Sequence, residues 1–169
     1  NRTLINEKGN ITVDTMKNLL RSHHESIKSP DSAYDRQFSR HSLKSVCMHG
    51  GFLYGDHTTG SYIASLDKNI CTYWVTGSST PCISVFKPLW LLDANTNADI
   101  CNFPFAEDNE EEAIKFWRKR EILHRYILEN RFSNNDLELY LIERDKIENE
   151  VASIVNTLNH DSMDHSHLV

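Results

Sequence analysis

His49 closes the stretch Ser45-Val46-Cys47-Met48-His49 and is followed at once by Gly50-Gly51. A histidine at a strand end beside glycines can serve as a base or an orienter near neutral pH, where imidazole gains and loses its proton. The same ring can instead bond a neighbouring loop. Two hydroxyl-rich stretches, Thr58-Thr59-Gly60-Ser61 and Thr76-Gly77-Ser78-Ser79-Thr80, flank apolar runs. Their glycines would let backbone N–H groups approach a carboxylate or an oxyanion closely, although the same composition also favours turns. Lys87 puts a charge inside Val85-Phe86-Lys87-Pro88. It would pair with a substrate carboxylate or a buried acid, or guard an edge strand.

Four cysteines, Cys47, Cys71, Cys82 and Cys101, form no CxxC pair and show no zinc-like spacing. They read as buried free thiols, with disulfides left open by the even count. Cys47 and Cys82 would need an activating base or amine to act as nucleophiles, so both read as structural. The tail from His160 to His167 carries three histidines and two aspartates. Without apolar anchors it is not a preformed metal site. No metal and no cofactor are expected.

These residues need elements to hold them. Thr12 with Asp14 reads as a helix start, and Met16, Leu19, Leu20 and His23 share one face up to a stop at Ser29-Pro30-Asp31. Four short β-branched or aromatic runs follow, 43–49, 60–66, 70–76 and 83–92, with turn residues between them. The Asp67-Lys68-Asn69 break favours an antiparallel hairpin. Beyond Pro104 a helix with acidic start and Glu111–Lys115 pairing is expected to bury Ala113, Phe116, Trp117, Leu123 and Ile127. Ser133 caps a last helix with the apolar stripe Leu137, Tyr140, Leu141, Ile147, Val151, Ile154 and Leu158. The fold class is α+β, with residues 1–158 in one unit and 159–169 a flexible polar tail.

Composition narrows the function. A net charge of −6 argues against a general nucleic-acid binder. The longest apolar run, Val85 to Leu92, is broken by Lys87 and Pro88 and falls short of the roughly 20 residues that span a bilayer. The chain opens on Asn1 without a signal-like segment, which points to a processed chain, a fragment or a missing companion. Asn1-Arg2-Thr3 and Asn10-Ile11-Thr12 fit the glycosylation triplet, so the compartment stays open, leaning to the cytoplasm.

Five strings in order resemble the secernins and related dipeptidases. They are Thr12-Val13-Asp14-Thr15-Met16 with Leu20-Arg21-Ser22-His23; 46–51 with Thr58-Thr59-Gly60-Ser61; Trp74-Val75-Thr76-Gly77; 81–88; and 116–125. The resemblance implies the carboxy-terminal half of an N-terminal-nucleophile hydrolase, a four-layer αββα sandwich of antiparallel sheets between helices. It also implies cleavage of amide bonds in small peptides by a cysteine exposed at a mature N-terminus, with its own amine as base. That cysteine belongs to the half this chain lacks, so the chain alone is expected to be inactive. The partner would be that first half, as a second chain or an absent segment. Pocket contacts are then expected from His49, Thr59, Ser61, Thr76 and Lys87. A non-catalytic secernin-like interaction protein, or an acyltransferase or amidase on the same fold, are the rival readings.

Overall fold

The computed structural model describes residues 2–23, 45–49, 57–68, 71–90, 109–129 and 131–165, with residues 2–3 and 158–165 as backbone alone. In chain order the elements are α1 (Arg2–Asn6), α2 (Val13–Leu20), β1 (Ser61–Ser65), β2 (Thr72–Thr76), β3 (Lys87–Leu89), α3 (Glu110–Leu128) and α4 (Asn134–His165). The architecture is mixed α+β, with a three-stranded antiparallel sheet in the order β1-β2-β3 and long carboxy-terminal helices.

Thr12 caps α2 as expected. Its hydroxyl accepts from the Thr15 N–H at 3.1 Å, and the Thr15 hydroxyl accepts from the Thr12 N–H in return. Two donors without helical partners are thereby satisfied. The helix does not run to the expected stop at Ser29-Pro30-Asp31, which lies outside the described residues; it ends at Leu20. The reason is tertiary. Arg21 donates to the carbonyls of Pro81 at 2.9 Å and Ser84 at 2.8 Å, and the Ser22 carbonyl accepts from the Cys47 N–H at 3.1 Å. These bonds outweigh the small propensity gain of another helical turn.

In the hairpin, Ser61 pairs with Thr76, Ile63 with Trp74 and Ser65 with Thr72, while Lys87 of β3 pairs with Val75. Side chains alternate along a strand, and paired residues share a face. One face therefore carries Ile63, Trp74, Thr72 and Thr76, and it is buried. Ile63, Trp74, Phe86 and Val155 form a core there, joined by Val13, Met16 and Leu20 from α2 and by Val151 and Ala152 from α4. The other face carries Tyr62, Ala64, Tyr73, Val75, Lys87 and Leu89. Tyr62 is 71% exposed, and Ala64 and Lys87 are exposed too.

Two expected strands are corrected. Residues 45–49 form no strand, while 43–44 lie outside the described residues. The run 83–92 shrinks to Lys87–Leu89, with 91–92 also outside. Its start is used by a turn in which Ile83 N–H bonds the Thr80 carbonyl, Ser84 N–H bonds the Pro81 carbonyl, and the Ser84 hydroxyl donates to Thr80 at 2.9 Å.

The helices also depart in part from their expected faces. Asn109 caps α3, and Glu111 pairs with Lys115 at 2.8 Å as foreseen. Of the five residues expected to be buried, Ile127 is, Leu123 is half-buried, and Ala113, Phe116 and Trp117 are exposed. The buried row is Glu121, His124 and Ile127: the first two meet the Ser79 hydroxyl and carbonyl, and Ile127 packs with Cys82, Ile83 and Leu137. Ser133 caps α4 through the Asp136 N–H. Leu137 and Val155 are buried and Tyr140, Leu141 and Val151 half-buried, whereas Ile147 and Ile154 face outward. The helix continues to His165, into the polar stretch read as a tail. Ile127→Val is thus expected to cost about 0.5–1.5 kcal/mol of unfolding free energy. Ile154→Val should stay within about 0.5 kcal/mol in the same denaturant titration. Among the described residues no helix is long and apolar enough to cross a membrane.

Candidate functional site

One end of the sheet gathers segments that are far apart in sequence. The Thr58 hydroxyl accepts from the Met48 N–H at 3.0 Å, and the Thr58 N–H returns a bond to the Met48 carbonyl. The Thr58 carbonyl accepts from the Thr80 N–H at 2.8 Å, which ties 46–48 to 58 and then to 80. The Thr76 hydroxyl accepts from the Ser61 N–H at 2.8 Å. Gly60 has a local role here. A Cβ at that position would lie 3.2 Å from the Thr76 carbonyl, so the close approach of the two strands favours a residue without one.

At this end four side chains converge. His49 Nε2 lies 3.1 Å from His23 Nε2, 3.2 Å from Cys82 Sγ and 3.5 Å from Cys47 Sγ. The four donor atoms all fall within 4.8 Å of one another; Cys47, His49 and Cys82 are buried and His23 is half-buried. Neither thiol is in a disulfide. The hydrogen bond from Cys82, then those from His23 and His49, hold the Cys47 thiol well below its ordinary value against the opposing effect of burial. Burial first, and Cys47 second, push the Cys82 thiol up.

Thr80 sits two residues before Cys82 with φ 57°, a left-handed backbone that β-branched residues rarely adopt. It is fully buried, and its hydroxyl makes no hydrogen bond of ordinary geometry among the described residues. Strain of this kind persists where surrounding contacts over-determine the backbone, and it concentrates at functional sites. No family model, curated protein or solved structure matches the chain.

The five residues expected to contact substrate divide between three places. His49 is buried inside the thiol–imidazole cluster. Ser61 and Thr76 are cross-strand partners on the buried face, with exposed Thr59 at the head of β1. Lys87 lies on the opposite face, where its ammonium donates to the Val85 carbonyl at 3.4 Å. Partial desolvation by neighbouring groups, and then Arg120, lower its pKa although the residue reaches solvent. His23, Cys47 and Cys82 join His49 although the helical spacing of His23 and the strand-like run around Cys47 point each elsewhere. The Cys47-x-His49 pair was the signal that could have found it, since neighbours two apart can serve one centre.

A second polar network backs the site. The Ser79 hydroxyl donates to Glu121 at 2.7 Å, and His124 Nδ1–H donates to the Ser79 carbonyl at 2.9 Å. Tyr140 donates to the Ile83 carbonyl at 2.8 Å, with His124 Nε2 3.3 Å from the same hydroxyl. Its single proton can serve only one acceptor fully. Desolvation holds the His124 pKa below its ordinary value of 6.5, and it does the same to His57. A histidine depressed in the folded state binds fewer protons there than in the unfolded chain, so stability falls as pH drops through about 6.5. His124→Gln should flatten that fall, read as unfolding free energy against pH by denaturant titration. An unchanged slope would assign the acid sensitivity elsewhere.

Proposed function

We propose that this chain is the second half of a cysteine-dependent amide hydrolase of the dipeptidase type, with the nucleophile contributed by a segment outside these 169 residues. The open face of the sheet carries this reading. In an αββα sandwich each sheet wears helices on its outer face and meets the other sheet on its inner face. Here α2 and α4 pack on the face of Ile63 and Trp74, while on the other Tyr62, Ala64 and Lys87 stand exposed and Tyr73, Val75 and Leu89 are half-buried. A second sheet laid on that face would cover it. Of the strings that resemble the dipeptidases, the first and the fourth meet directly, since Arg21 donates to the carbonyls of Pro81 and Ser84.

In the reaction so assigned, the thiol of an N-terminal cysteine gives its proton to its own amine as the sulfur attacks the amide carbon, and that ammonium then protonates the departing nitrogen. Backbone N–H groups hold the tetrahedral oxyanion, the amine product leaves, and water then releases the acid from the thioester. Lys87, on the face a companion sheet would cover, is suited to the free carboxylate of a dipeptide.

The test is to purify this chain with its companion half and identify that half by mass spectrometry. The reading expects a polypeptide beginning with cysteine and an assembly that hydrolyses dipeptides until its N-terminal thiol is alkylated. An assembly whose companion has no such cysteine, or which leaves a broad dipeptide panel intact, would favour a non-catalytic interaction protein.

A further inference from the structure

We propose that His23, Cys47, His49 and Cys82 form a tetrahedral site for a divalent transition-metal ion, with zinc the best match. The claim stands independently of the hydrolase reading. Two thiolates and two neutral imidazoles are a donor set that zinc takes in closed, four-coordinate structural sites. Zinc–sulfur bonds of about 2.3 Å and zinc–nitrogen bonds of about 2.0–2.1 Å put tetrahedral neighbours roughly 3.3–3.8 Å apart. The measured N···N separation is 3.1 Å, the two N···S separations from His49 are 3.2 and 3.5 Å, and no donor pair exceeds 4.8 Å. An ion at the centre needs only small side-chain movements.

The surroundings fit a structural role. Cys47, His49 and Cys82 are buried, and four protein donors leave no open coordination position for substrate. The backbone beside each ligand is tied down. Cys47 N–H bonds the Ser22 carbonyl next to His23, Met48 next to His49 exchanges two bonds with Thr58, Arg144 donates to the Cys82 carbonyl, and Arg21 donates to the Pro81 carbonyl. Such outer bonds fix ligand orientation. The ligands come from positions separated by 26 and 33 residues, so one ion would clamp the end of α2 and the 45–49 segment to the turn after β2. Binding would also neutralise the ion, since two thiolates match its double charge.

Cobalt(II) titration of the reduced, metal-stripped protein tests the site. The expected result is saturation at one cobalt per chain, with the intense visible bands of tetrahedral cobalt and thiolate charge transfer, displaced by one equivalent of zinc. Replacing His160, His165 and His167 together by glutamine should leave the titration unchanged. His23→Gln should weaken binding by at least the roughly 10–100-fold that loss of an outer-shell partner costs. Cys47→Ser with Cys82→Ser should abolish the charge-transfer bands; if that variant does not fold, the parent titration decides alone. A pale octahedral spectrum, binding that disappears with the tail histidines, or a Cys47–Cys82 disulfide in the unreduced protein would overturn the proposal.

Discussion

Replacing Glu148 by alanine is expected to lower the unfolding free energy by about 3–5 kcal/mol, the cost of removing one partner from a buried ion pair. Glu148 is buried in α4, yet it is the hub of three contacts. It meets Arg21 at 2.5 and 3.1 Å, it accepts from the Phe86 N–H at 2.6 Å, and Lys17 stands 3.7 Å away. Alanine would leave buried Lys17, half-buried Arg21 and a buried backbone donor without this acceptor. Lys17 would keep its position over the Trp74 ring at 4.3 Å, but a ring face does not replace a carboxylate. Arg21 would lose the anchor that holds it against Pro81 and Ser84. Charge and packing can be separated by the double variant Arg21→Met with Glu148→Leu. It should recover only the Arg21 share of the loss, because Lys17 and the Phe86 N–H would still lack the carboxylate. A single-variant loss under about 1 kcal/mol, read by urea denaturation, would show that the network is solvated rather than buried.

The second large effect concerns the Cys/His centre. Zinc present at about a thousand times its dissociation constant is expected to stabilise the folded chain by about 4 kcal/mol, because the unfolded chain does not assemble the four donors. The gain should vanish on chelation and return with zinc. Calcium or magnesium should not reproduce it, since both prefer oxygen donors. Paired thermal melts with and without chelator would read the shift, and coincident melts would contradict it.

Much of the scaffold was legible in the residues. Thr12 and Ser133 announced their caps because a side-chain oxygen before a helix has a local job. The hairpin of β1 and β2 followed from β-branched runs with turn residues between them. What failed was decided at a distance. Nothing near Leu20 says that the helix must end there; Arg21 leaves it for carbonyls 60 and 63 residues away. Phe116 and Trp117 have the spacing of a buried stripe, but Ser79 offers α3 a hydroxyl and a carbonyl, so Glu121 and His124 join Ile127 in the inner row instead. The candidate site was half legible. His49, Ser61 and Thr76 stood out by type, whereas His23 and Cys82 join His49 only through folding, with no short motif to mark them.

X-ray absorption at the zinc edge of the loaded protein tests the central claim most directly. Two sulfur neighbours near 2.3 Å and two nitrogens near 2.0–2.1 Å, about the distances zinc takes to these donors, are predicted. A shell of oxygen and nitrogen alone, or one without sulfur, would contradict the centre built from Cys47, Cys82, His23 and His49.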